Sequence, residues 1–95
     1  MELVDQLKEV KDEKSFLEFA RALQADKEDE NKKEKIKASN PYDSGRNGWE
    51  NSTIEGFLES AIVWAEDSDF GEHFEANANL WKKFAMFLYG GKIYE

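Results

Sequence analysis

His73, the single histidine of the chain, stands in Glu72-His73-Phe74-Glu75, with Asp67 and Asp69 a few residues earlier. Imidazole and carboxylate are the usual ligands of zinc, and carboxylates in a tight loop hold calcium. A helix-loop-helix calcium loop needs oxygen donors at its positions 1, 3 and 5, glycine at 6 and glutamate at 12. Counted from Asp67, those last three positions hold Gly71, Glu72 and Ala78, so the pattern fails at each. Counted from Asp43, Asn47 and Gly48 fit positions 5 and 6, but Gly45 falls at 3 and Ile54 at 12. No zinc spacing is present either. No metal is expected.

Other chemistry meets similar obstacles. The chain has no cysteine, which removes disulfides, thiolate nucleophiles and Cys-ligated metal centres from consideration. A Ser or Thr nucleophile needs a base and a third group to orient that base, and the one histidine lies in a polar connector. With 21 Asp and Glu in 95 residues, neighbouring carboxylates arise by chance and read as a solvated charged surface. Gly45, Gly48 and Gly56 have neither the spacing nor the lysine of a phosphate-binding loop. The expectation is therefore no catalytic residue, no cofactor and no enzymatic activity.

What remains is recognition by shape and charge. Asn40, Tyr42, Trp49, Asn51 and Tyr94 bring aromatic area and hydrogen-bonding tips to a long loop and to the C-terminal tail, the mixture enriched at interfaces. They form the candidate binding residues. A formal net charge of −8 would steer a basic protein partner toward them and repel phosphate backbones, so nucleic acid is not expected to bind. The competing structural reading is that Trp49 and Tyr94 fill the core while Asn51 helps to cap a helix. No run of about 18 apolar residues exists to span a membrane, and Glu2 and Asp5 do not suit a secretion signal. A monomeric cytoplasmic protein is expected.

These residues need a scaffold, and the apolar spacing predicts an all-α one: a small bundle of about four helices in a single domain over 1–95. Leu3, Leu7 and Val10 define a short first helix. Ser15 with Glu18 reads as a capping box, which starts a second helix near Phe16 with Phe16, Phe19, Ala20 and Leu23 on its buried face. That face turns polar at Lys27, Glu30 and Glu34, so core contact is expected to end near Ala25. The charged segment 27–38 is then a solvated helix or a flexible linker. A loop over 40–52, containing the only proline, is pinned by Trp49.

The third helix is expected over 53–66, capped by Ser52 and Glu55, with Ile54, Phe57, Leu58, Ala61, Ile62 and Ala65 on one face. Gly56, Ser60 and Val63 on its other side, beside Trp64, suggest a helix sandwiched between two neighbours. The last helix carries Leu80, Trp81, Phe84, Ala85, Phe87 and Leu88. Gly90-Gly91 should stop it, with the tail from Lys92 folding back. The core should need Phe57, Trp64 and Trp81.

Several blocks together resemble an uncharacterised family of small bacterial proteins, a domain of unknown function. They are Ser15-Phe16-Leu17-Glu18-Phe19 with Ala22-Leu23 and Asp26, Asn40-Pro41-Tyr42, the stretch from Trp49-Glu50-Asn51 through Trp64-Ala65-Glu66-Asp67, Trp81 with Phe84-Ala85, and Leu88-Tyr89-Gly90-Gly91-Lys92-Ile93-Tyr94-Glu95. The resemblance implies a bacterial source and a stand-alone cytosolic protein, and it brings no catalytic or ligand residue. Two function classes stay open. One is a protein-binding or regulatory module, immunity-like in that it would neutralise a partner. The other is a small-molecule or enzymatic role around Trp49, Asn51 and Tyr94.

Overall fold

The computed structural model describes residues 2–37, 45–72 and 79–94, and every regular element among them is an α-helix. The order is α1 (Leu3–Lys8), α2 (Glu13–Ile36), α3 (Ile54–Asp67) and α4 (Leu80–Ile93). Asn40, Tyr42 and His73 lie outside the described residues. The all-α bundle expected from the apolar spacing is the fold that forms.

Helix α4 is central. It packs against each of the other three helices, α1 also packs on α2, and α3 touches no helix but α4 among the described residues. Val10, Phe19, Leu23, Trp49 and Ala85 form the buried core, with Leu3, Leu7, Phe16, Phe57, Leu88 and Tyr89 packed against it. Ala85, wholly buried, brings a small side chain of α4 into the core that Phe19 and Leu23 of α2 share.

Helix starts depart from expectation by one cap. The second helix begins at Glu13, because Asp12 rather than Ser15 is its N-cap. Asp12 Oδ1 accepts from the Ser15 backbone N–H at 2.8 Å, and Ser15 Oγ accepts from the Asp12 N–H at 3.1 Å. Ser15 is thus the far partner of the capping box, three residues inside. In the same way Thr53, not Ser52, caps α3 by accepting from the Gly56 N–H at 3.0 Å.

Two larger corrections concern faces. Helix α2 does not lose its partner at Ala25. Its face continues through Asp26 and Glu30, which is only 2% exposed, and it takes up the loop that returns over it; Ile36 at the end is 88% exposed. Helix α3 is not sandwiched. Phe57, Ser60, Ala61 and Trp64 turn toward α4, while Ile54, Leu58 and Ile62 of the expected buried face stay exposed.

The reason lies in Gly90 and Gly91. They sit inside α4, which runs on to Ile93, and their missing side chains make the room that Trp64 and Phe57 occupy. A Cβ at Gly91 would lie 2.6 Å from Phe57 Cε2, and one at Gly90 would lie 3.0 Å from Trp64 Cγ. Of the three residues expected to carry the core, Phe57 and Trp64 are half-buried. Trp81 sits at the surface, against Phe16 and Phe84. Of the tail expected to fold back, Lys92 and Ile93 belong to α4 instead, and the Tyr94 hydroxyl donates to Asp67 at the end of α3.

Candidate functional site

Trp49 is the junction of the molecule. Its ring is buried, lies 6.2 Å from the Phe57 ring, and has the ammonium groups of Lys92 and Lys27 at 5.6 and 5.7 Å from its centroid. Its indole N–H donates to Asp26 Oδ2 at 2.8 Å, and Lys92 Nζ donates to the same oxygen at 2.7 Å. One residue of the loop therefore ties α2, α3 and the end of α4 together. A buried lysine needs a carboxylate within reach, and Asp26 supplies it.

The loop is seated on α2 by a buried carboxylate. Glu30 Oε1 accepts from the backbone N–H groups of Asn47 and Trp49 at 3.0 and 3.3 Å, and Glu30 Oε2 accepts from Lys27 Nζ at 3.0 Å. A Cβ at Gly45 would collide with that carboxylate, so glycine there permits the close approach. Asn47 adds a second anchor: its amide donates to the Asp26 carbonyl at 2.9 Å and to Asp29 at 3.0 Å, while its oxygen accepts from Lys33 at 2.8 Å. These contacts hold Asp29 below its usual carboxylate range, the Asn47 hydrogen bond first and Lys33 second.

Of the five residues singled out in the sequence, Trp49, Asn51 and Tyr94 come together at the C-terminal end of α4. Asn51 does not cap α3; its amide donates to the carbonyls of Gly91 and Tyr94 at 2.9 and 3.1 Å, closing the last turn of α4. The Tyr94 hydroxyl donates to Asp67 Oδ2 at 2.5 Å, which raises its phenol above the usual value. The indole N–H of Trp49, the amide of Asn51 and the hydroxyl of Tyr94 are all engaged within the protein.

Two hollows lie beside this junction. The larger, about 700 Å³, opens between α1, α2 and α4 and is walled by Asp26, Asp29, Asn47, Tyr89 and Lys92. Four of its charged groups are committed to one another through the Lys92–Asp26 and Lys33–Asp29 pairs. Burial, and then the charges of Asp26 and Glu2, raise the Tyr89 phenol above its usual value. The smaller, about 350 Å³, is an open apolar recess over Trp49, walled by Lys27, Thr53, Ile54, Phe57 and Leu58.

The recess runs out onto the uncovered side of α3. Ile54, Leu58 and Ile62 follow at four-residue steps and are 79%, 46% and 49% exposed. At 100° per residue, Glu55, Glu59 and Glu66 form the adjoining solvent face, and α3 contains no Lys or Arg at all. The sequence had placed these three apolar residues in the core, because spacing shows which residues share a stripe and not which stripe a neighbour covers. Among the described residues, no three His, Asp or Glu side chains converge as a metal site, and no helix is long and apolar enough to cross a membrane.

Fold and surface together define a small acidic all-α domain with an exposed apolar edge bordered by carboxylates. The chain belongs to a family of unknown function, DUF7660, whose model matches residues 12–95 and so takes in α2, α3, α4 and the Trp49 loop. No curated protein and no solved structure matches it. The resemblance to a domain of unknown function is borne out at that level.

Proposed function

We propose that this protein is a cytosolic protein-binding module that regulates or neutralises a basic partner by covering part of its surface. The observation that carries this reading is the α3 edge: three large aliphatic side chains left in water, in register along one helix and bordered by Glu55, Glu59 and Glu66. Leaving such a stripe in water forgoes stability, at roughly 25 cal/mol for each Å² of apolar surface. Aligned exposed apolar residues with a polar border are a mark of interaction sites. A bacterial cytosolic setting is part of the proposal and rests on the family resemblance and the cysteine-free sequence.

The alternative, a small-molecule or enzymatic site at Trp49, Asn51 and Tyr94, is less well supported because the polar tips of all three are already used internally. The monomer proposal has its own support: pairing α3 with its copy would set carboxylates against carboxylates. A photo-crosslinking residue at Ile62, with a matched one at exposed Lys14 on α2 as control, tests the reading in the source cell. Protein adducts are expected at position 62 and not at 14. Equal labelling at both positions, or labelling of small molecules alone, overturns it.

A further inference from the structure

We infer that the α3 edge receives an amphipathic, basic helix of the partner protein, laid along α3 with one bulky apolar side chain in the recess over Trp49. This rests on the protein-binding reading and names the shape and charge of the occupant. Ile54, Leu58 and Ile62 cover about 12 Å at 1.5 Å per residue, two turns of a facing helix. A helix offers no free strand edge, so an extended peptide would find no backbone partners there, whereas apolar anchors at helical spacing match a helix packed against it. The recess lies at the Ile54 end of the stripe and is lined by Trp49, Phe57 and Leu58, which gives one anchor position more depth than the others.

Charge selects among the occupants. Glu55, Glu59 and Glu66 run beside the apolar line with no base on the helix to offset them, in a chain of net charge −8. A second copy meeting this edge about a two-fold axis would place the same carboxylates opposite one another. Anionic lipid and nucleic acid are repelled for the same reason. Lys or Arg on the flank of a partner helix would pair with the three glutamates, adding on-rate and register more than affinity. The apolar line supplies the affinity.

The test uses three synthetic peptides of about 14 residues, four turns of helix. One has Leu at helical spacing with Lys on the flanks; the second has Glu for each Lys; the third has the composition of the first in an order with no helical apolar face. Binding to the full chain is read by fluorescence anisotropy at physiological ionic strength. The first peptide alone should bind. Leu58→Ser with Ile62→Ser should weaken it by about tenfold, the loss that follows when interface anchors are removed. Glu55→Gln with Glu59→Gln and Glu66→Gln should weaken it and flatten its salt dependence. Both variants alter exposed side chains and should keep the wild-type melting temperature.

Equal binding of the shuffled peptide, or binding indifferent to both variants, would mean attraction to net charge alone and would overturn the inference. A position-62 crosslink to a second copy of this chain would overturn it too. Crosslinks to another protein, combined with a peptide panel that shows no preference for the amphipathic helix, would leave the binding module standing and remove only the helical occupant.

Discussion

Gly91 shows how much one missing side chain decides. In a helix interior, alanine is better than glycine by roughly 1 kcal/mol, yet a Cβ here would lie within 2.8 Å of three atoms of the Phe57 ring. The ring is held against Trp49, so overpacking should outweigh propensity. Gly91→Ala is expected to destabilise by about 1–3 kcal/mol and to cost less in a Phe57→Leu background, which a double-mutant cycle on thermal midpoints checks. Tyr94 carries a pH signature. Its hydrogen bond to Asp67 raises the folded phenol above the usual value of about 10. The folded state therefore keeps that proton to higher pH than the unfolded chain. The resulting stability is complete below pH ~10 and is lost as pH rises through the raised value. Above pH ~10 the melting temperature of wild type should fall faster than that of Tyr94→Phe; parallel curves would mean the bond is absent in solution.

At the scale of the element, α2 joins two kinds of adhesion on one face. Its first half buries Phe19 and Leu23; its second half offers Asp26 and Glu30 to backbone and indole N–H groups of the loop. Removing Glu30 leaves the backbone N–H groups of Asn47 and Trp49 without their acceptor and takes from Lys27 its carboxylate partner, leaving it the Asn31 side chain. Glu30→Ala should cost about 2–5 kcal/mol, at roughly 1–3 kcal/mol for each backbone donor left unsatisfied. Trp49 emission should shift to the red, and amide exchange should quicken from Glu30 through Lys33. An unchanged Trp49 spectrum would show that the loop is held some other way. At the other end of α2, the cap can be located by comparison. Asp12→Ala should cost ~1 kcal/mol, as N-caps do, while Glu18→Ala should stay within about 0.5 kcal/mol. The reverse order would restore the cap to Ser15.

At the scale of the molecule, three features converge on Trp49: the polar half of α2, the start of α3 and the end of α4. No other residue links all three through both its ring and a hydrogen bond among the contacts described. Truncating a buried aromatic typically costs ~3–5 kcal/mol, and Trp49→Ala should reach that range in chemical denaturation. Because α3 touches no helix but α4 among the described residues, its tie to α2 runs through this ring and through α4. The variant should therefore loosen the α3 edge and weaken its binding even though Trp49 itself is buried. An unaffected α3 edge would show that α4 alone holds it.

Apolar residues recurring at three and four were enough to specify the all-α class, and a chain without cysteine carries no thiol chemistry. The sequence also pointed to Trp49 as the pin of the loop, since the largest apolar side chain in a polar stretch has little reason to stay in water. Cap positions were legible to within three residues, because Asp12 and Ser15 can each play either part of the box. Which side of α3 is buried follows instead from its packing on α4. Periodicity groups Ile54, Phe57, Leu58 and Ala61 on one broad face, but the cleft cut by Gly90 and Gly91 in a helix some thirty residues away draws in Phe57 and Trp64 and leaves Ile54 outside. The same holds for Glu30 and Asn51. A charged or amide side chain does not reveal its partners in the sequence, and those partners, the loop N–H groups and the last carbonyls of α4, are brought near by folding and not by spacing along the chain.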